Sequence, residues 1–470
     1  MIERIRWPSR LRSYLAKASD WLWSLGSRPM LKEEKISHLV LIIVVGFSIA
    51  VAYHYVMGYY LYKPWPANTF LFVPSDRFLD FILVVRQSAA LDPFGKDIGG
   101  FAGSPFAQFV GYLFSLVQPA LLQLPIFFGS FFVAFILMVK HYLYGLKSRL
   151  TSYQLLAIFV IVFLTYPVLF AVDRANFDLI VCALLFLFAL TYGRQQHKVS
   201  TVFLALAIAL KPYAAIFIMV YVLDKKFKDG LLVIFSAVFL TVLSLSLFKD
   251  GLFVETQKYF NALSQMNSYL SAGNQQFYTS DLLGLLTVVV KFVGNTLNID
   301  RSGTTMYLPT HPSAITAYAI VAIIVFIYFM IHLWQKTRPL WKVMAVLTIL
   351  LILLPSNSGD YRLTYLFVPM LMYMAIKERT RHDLLIIILW GLLLVPKNYY
   401  PFNLAPTNYY SHTLHQNIGM VINPLLLIGL LICIIPGAFT IKGAVATLRF
   451  VYGKLQSMVP IRKLDISRSS

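Results

Sequence analysis

Residues 199–223 read VSTVFLALAIALKPYAAIFIMVYVL, preceded by the basic stretch GRQQHK (193–198) and followed by DKKFK (224–228). The apolar length suits one membrane-spanning helix, which needs about 20 residues. A single helix, however, would send one of the two basic clusters across the bilayer. Two crossings of about 11 residues each would be about 17 Å long, short of a hydrocarbon core of about 30 Å. Pro212 supports a break, since it lacks an amide hydrogen and disfavours helix at the residue before it. The stretch therefore reads as a broken pair of short helices that enters the membrane and turns back at Lys211–Pro212. Such a break is tolerated only where protein or a wet cavity surrounds it.

The rest of the chain has the same oily character. Its 470 residues are 59% hydrophobic, 15% aromatic and only 13% charged, against about 25% charged in a soluble chain. Apolar segments recur at 39–60, 117–139, 154–172, 177–192, 199–210, 212–223, 230–248, 313–334, 342–355, 362–376, 383–396 and 418–440. They predict an all-α polytopic membrane protein with about 12 transmembrane or partly spanning helices. An outer-membrane barrel is excluded, because barrel strands alternate whereas these runs are continuous. The first 36 residues are basic and polar, with no apolar stretch before a small-residue cleavage site, so 39–60 reads as a retained signal-anchor. Cys182 and Cys433 both fall in apolar segments, which argues against a disulfide scaffold or a cysteine zinc site.

The net charge of +20 does not point to nucleic acid, because the basic residues flank helices on one side and no basic run interleaves with exposed aromatics. With the N-terminus in the cytoplasm, the cytoplasmic set is 1–38, 140–153, 193–198, 224–229, 335–342, 377–383 and 441–470. It holds 28 Lys and Arg against 9 Asp and Glu, a net of +19. The remainder of the 40 basic and 20 acidic residues is 12 against 11, a net of +1. The positive-inside rule then sets both termini in the cytoplasm of a cell (inner) membrane. One transmembrane domain spans 1–440, with a basic tail at 441–470 and two long outer loops at 61–116 and 249–312. Loops of that length carry function or fold as lids, so chemistry is expected on the outer face.

The first outer loop includes VPSDRFLDFILVVRQSAALDPFGKDIGGFAGSPFAQF (73–109). Asp76 and Asp80, four apart, share a face if the segment is helical. Arg77 and Arg86 lie nearby, and Phe78, Phe81, Ile82 and Val85 give an apolar side. That is an amphipathic helix on the membrane surface, whose carboxylate is suited to taking a proton from a sugar hydroxyl; the alternative is a solvated helix with incidental charges. Asp92 and Asp97 read as turn residues or caps. The second loop holds another amphipathic piece, SDLLGLLTVVVKFVG (280–294).

In PVLFAVDRANFDLIVCALLF (167–186), Asp173, Arg174, Asn176 and Asp178 crowd between oily runs. Ionisable groups there are costly unless they pair or face a cavity. Either they line a site, or the loop is a capping turn in which Asp173 pairs with Arg174 or Arg174 snorkels to head groups. Lys211, alone at its apolar turn, either meets an anion such as a lipid-carrier phosphate or snorkels outward. LLPSNSGDYRLTYLFVP (353–369) repeats the theme. Arg362 is suited to gripping a phosphate and Asp360 to binding sugar hydroxyls, or else the pair is a cap beside the interfacial Tyr361. His311, His412 and His415 lack metal-ligand spacing, and the tyrosines of PKNYYPFNLAPTNYYSHTLH (396–415) read as an interfacial belt. No GxGxxG, Walker loop or GxSxG is present.

Taken in order, RFLDF (77–81), LDPFG (91–95), GSPF (103–106), TYPVLFAVDRANFDLIVCALLFLFAL (165–190), LALAIALKPYAAIF (204–217) and LPSNSGDYRLTYLFVP (354–369) resemble glycosyltransferase family 87 over about 75–370. The resemblance implies a GT-C fold of about a dozen helices, an outward-facing site, and a catalytic Asp in the first outer loop. It also implies a polyprenyl-monophosphate sugar donor, as in mannosyltransferase relatives, with no metal or other cofactor. RFLDF makes Asp80 the expected base, with Asp76 in reserve. The expected substrate-binding set is Arg86, Asp173, Arg174, Asn176, Lys211, Tyr213, Asp360, Tyr361 and Arg362. Lys211 with Arg174 or Arg362 would neutralise the departing phosphate, and the acceptor would be a glycan or glycolipid. A flippase or transporter of lipid-linked sugars, or an envelope polysaccharide polymerase, are the rival readings.

Overall fold

The computed structural model describes residues 30–95, 103–271, 278–296, 312–335, 338–356, 358–376, 382–399 and 417–440, with parts of 442–450. Asp97, His311, His412, His415, most tyrosines of 396–415 and most of the basic tail lie outside them. The described residues form helices without strands, apart from one antiparallel bridge between Thr279 and Gly359. The chain is an all-α polytopic membrane protein. By length and composition, Lys32–Tyr60, Ala120–Leu143, Phe227–Leu247 and Ser313–Trp334 can each cross a membrane. Shorter apolar helices fill the remaining segments, halted where Pro, Gly or charge interrupts the run.

In chain order the first helices are α1 (Lys32–Tyr55), α2 (Leu79–Ser88), α3 (Pro105–Ser115), α4 (Gln123–Leu143), α5 (Ser152–Phe163), α6 (Tyr166–Arg174), α7 (Asp178–Gly193) and α8 (His197–Leu210). After a 3₁₀ turn, Pro212–Ile218, come α9 (Met219–Leu223), α10 (Phe227–Leu247), α11 (Gly251–Ser271), α12 (Leu282–Thr296), α13 (Pro312–Trp334) and α14 (Leu340–Leu353). A second 3₁₀ turn, Asp360–Leu366, leads to α15 (Phe367–Ala375), α16 (Asp383–Leu394) and α17 (Gly419–Ile434).

Helix α14 is apolar all round, and twelve of its residues, Trp341 and Val343–Leu353, are buried. A helix without a polar face belongs in the centre, and α14 packs against α15, α17 and both 3₁₀ turns. The rim is the reverse: Phe235 and Phe239 on α10 and Ile320, Val321, Ile323 and Ile324 on α13 are exposed, as suits lipid. Because lipid is as apolar as these side chains, packing and hydrogen bonds hold such a bundle. One example ties α1 to α16, where buried Lys35 lies 3.3 Å from Asp383, whose other oxygen accepts the Tyr373 hydroxyl at 2.5 Å.

The stretch 199–223 folds as a hairpin. Lys211 is extended (φ −142°, ψ 102°) between α8 and the 3₁₀ turn. Its two ends meet again where Lys226 Nζ lies 3.0 Å from His197 Nε2. Two expectations are corrected. The run 154–172 is a pair, α5 and α6, bent by 51°; Thr165 is extended there and Pro167 occupies the first turn of α6. Asp76 and Asp80 do not share a helix face either. Asp76 ends a separate 3₁₀ turn, Pro74–Asp76, and Phe78 adopts left-handed φ 58°, so α2 starts only at Leu79.

Candidate active site

The site begins where the loop before α2 meets the elbow between α6 and α7. The Phe78 amide donates to the Asp173 carbonyl at 2.7 Å, fastening the loop to the end of α6. At the elbow Ala175 is left-handed (φ 48°, ψ 47°). That backbone costs a non-glycine residue on the order of 1 kcal/mol or more. It is held by the Asn176 amide on the Ala171 carbonyl at 3.0 Å. The Asn176 Oδ1 then accepts the Asp178 amide at 3.0 Å and starts α7.

This elbow delivers two donors to one carboxylate. Asn176 Nδ2 donates to Asp80 Oδ2 at 2.6 Å, and Arg174 Nη2 donates to Asp80 Oδ1. Asp80 is 7% exposed. The Arg174 guanidinium lies on the Phe72 ring, 4.3 Å from its centre, and 3.8 Å from Asp76 Oδ2. Both aspartates of the first loop therefore face Arg174, through a loop and a helix start rather than one helical face. Asp173 turns the other way, accepting the Phe72 amide at 3.1 Å and lying 3.5 Å from Arg77 Nε.

A second group of residues gathers on the hairpin turn. Lys211 Nζ is 3.7 Å from Asp178 Oδ2. Asp178 is fully buried and accepts the hydroxyls of Tyr213 and Tyr365. Arg362 lies over the Tyr213 ring, its Cζ 4.3 Å from the centre. Its Nε and Nη1 are buried and have no hydrogen-bond partner among the described residues. Buried charged donors are rarely left so, because the desolvation cost goes uncompensated. Tyr361 joins the two groups: it lies close enough to Arg362, Asp178, Lys211 and Asp80 for all four charges to act on it. Only glycine fits at 359, where a Cβ would sit 2.5 Å from the Tyr361 ring.

Two expected site residues are placed elsewhere. Asp360, 1% exposed, accepts the Tyr166 hydroxyl at 2.7 Å and the Ser280 hydroxyl at 2.6 Å. Asn398 donates to the Tyr166 oxygen at 2.9 Å and Asn423 to the Ser280 oxygen at 3.0 Å. Instead of sugar hydroxyls, Asp360 thus holds protein ones, and it knits α6, the segment before α12 and the ends of two later segments together. Arg86 is exposed, six positions beyond Asp80 on α2 and therefore about 120° round the helix from it. The sequence reading placed Asp178 in the polar cluster without giving it a part in binding, and it did not single out Phe72 or Tyr365. For Asp178 the signal was present, as a carboxylate at the start of an apolar helix.

Among the described residues one acidic group has metal-like spacing, Asp92, Asp250 and Glu255. The Lys258 ammonium already sits among them at 2.7, 2.5 and 2.9 Å. This group joins the first loop to α11 and shares no residue with the Asp80 site.

What the main arrangement offers is a carboxylate fixed by two donors beside cations with hydrogen-bonding capacity to spare. The sequence model of glycosyltransferase family 87 matches residues 101–356, more than half of the chain. The chain belongs to glycosyltransferase family 87. No curated protein and no solved structure matches it. The family 87 match covers the elbow, Lys211 and Asp178, and it stops short of Asp80 on one side and of Arg362 on the other. This glycosyltransferase therefore draws part of its candidate site from outside the matched region.

Proposed function

We propose that this family 87 glycosyltransferase is an inverting, metal-independent hexosyltransferase, of the mannosyltransferase kind, that uses a polyprenyl-monophosphate sugar on the outer face of a cell membrane. The observation that carries the reading is Arg362, whose buried Nε and Nη1 lack partners among the described residues and which lies over Tyr213, a donor to the same Asp178 that faces Lys211. A guanidinium of that kind suits the oxygens of a phosphate. The outward orientation rests on the excess of Lys and Arg in the opposite loops.

In this mechanism an acceptor hydroxyl of a glycan or glycolipid attacks the anomeric carbon. Its proton passes to Asp80 as the new carbon–oxygen bond forms. The bond to phosphate breaks on the opposite face, and polyprenyl phosphate leaves with the electron pair. Lys211 and Arg362 stabilise the charge that grows on the phosphate. Arg174 and Asn176 hold Asp80 in place and keep its remaining lone pairs free for the acceptor. Asp173 and Asp76 hold the arginines that flank it, while Tyr213 and Tyr361 shape the path between acid and cations.

The test is transfer of radiolabelled sugar by purified protein from a polyprenyl-phosphate donor to a glycolipid acceptor. Transfer that disappears in a folded Asp80→Asn variant supports the assignment. Equal transfer by the variant removes Asp80 from the role. Movement of labelled donor across vesicles without any transfer would favour a flippase instead.

A further inference from the structure

The hairpin turn at the other end of the bundle has chemistry of its own. Helix α7 leaves Asp178 and ends at Gly193, and the 3₁₀ turn with α9 leaves Lys211 and ends at Leu223. The turns that follow meet at that far end, where the Tyr192 hydroxyl donates to Asp224 Oδ2 at 2.5 Å. Beside them a cavity of about 380 Å³ opens, lined by Asp224, Lys225, Lys226, Trp334, Gln335 and Arg338 among others. Three of these are cations and one is an acid.

The acid is already engaged by Tyr192, and Lys226 is 3.9 Å from it. Lys226 also lies over the Tyr192 ring and beside His197. Arg338 Nε and Gln335 Nε2 are buried without hydrogen-bond partners among the described residues. A cavity with spare positive charge and two unsatisfied donors is built for an anion whose oxygens accept them.

Its position says which anion. Trp334 ends the lipid-facing span Ser313–Trp334, 22 residues in length. At 1.5 Å per residue such a helix is about 33 Å long, matching a core of about 30 Å. A Trp at that point marks the head-group level. We infer that this cavity is a second anion site, distinct from the catalytic one, which takes the phosphate of an anionic membrane phospholipid. The side chains of Lys225, Lys226 and Arg338 neutralise the phosphate, and Gln335 donates to one of its oxygens. The lipid fastens the 224–226 turn to the start of α14, on the face where basic residues are in excess.

Native mass spectrometry of the full-length protein in detergent tests this, with phosphatidylglycerol, phosphatidylcholine and inorganic phosphate as probes. Wild-type protein is expected to retain phosphatidylglycerol, to release phosphatidylcholine, and to keep its lipid in millimolar phosphate. The variant carrying Lys225→Gln, Lys226→Gln and Arg338→Gln is expected to lose retention by about tenfold or more, as removal of charged hydrogen bonds implies. Should that variant fail to fold, exposed Lys225→Gln alone is expected to cost about threefold, the lesser loss for one solvent-facing charge. Unchanged retention in the folded variant overturns the site. Displacement of the lipid by inorganic phosphate overturns the lipid as its ligand. Neither result bears on sugar transfer.

Discussion

Asp80 and Asp360 are both buried aspartates that accept two side-chain donors, yet their surroundings differ. Asp80 receives a guanidinium and an amide, and Arg174 still reaches the surface at 15% exposure. Asp360 receives two neutral hydroxyls, each of which is itself hydrogen-bonded to an asparagine amide. The first carboxylate is positioned yet reachable; the second is enclosed. In the proposed mechanism the reachable carboxylate serves chemistry and the enclosed one serves the fold.

Substitutions can break this contrast. Asp80→Asn should lower transfer by about 10² to 10⁴, the usual worth of a positioned base, with little change in thermal midpoint. Arg362→Gln should cost about 10² in turnover, since in the proposed mechanism it removes a charge that meets the leaving phosphate. Asn176→Ala removes one donor from Asp80 and the acceptor of the Asp178 amide at the start of α7, and about tenfold in turnover with about 1 kcal/mol of stability is expected. Asp360→Ala should do the opposite of Asp80→Asn. It leaves buried hydroxyls unpaired at about 1–3 kcal/mol each, so thermal unfolding is expected to shift while turnover per folded molecule stays within about twofold, the scale of a site left intact.

The smallest effect concerns pH. Asp281, at the start of α12, is pushed up to about 6 by burial, against the pull of hydrogen bonds from the Gly284 and Ser358 amides. A carboxyl raised in the folded state adds stability at low pH that is lost as pH rises through its folded value. The thermal midpoint should therefore fall slightly between about pH 4 and 6, and Asp281→Asn should flatten that slope in a calorimetric series.

The same contrast explains what could be read from the residues alone. Helical segments, the turn at Lys211–Pro212 and the polar elbow at Asp173–Asp178 were legible, because apolar length, proline and misplaced charge are local signals. The break between α5 and α6 was signalled only by Pro167, inside a run of otherwise suitable length. The partners of Asp360, Tyr166 and Ser280, lie 194 and 80 residues away, so no local pattern shows them. Asp76 and Asp80 were paired by spacing, but the left-handed Phe78 breaks the helix between them; they converge on Arg174 instead. Tyr213 and Tyr365 meet at Asp178 only after the hairpin has closed against the 360–366 turn. No spacing rule contains that meeting.

A single observation bears on Arg362 more directly than any rate. Cryo-electron microscopy of the purified protein with polyprenyl phosphate should place the phosphate within hydrogen-bond reach of Arg362 Nε or Nη1 and Lys211 Nζ. A phosphate bound elsewhere, with those two side chains unchanged, would contradict the proposed mechanism.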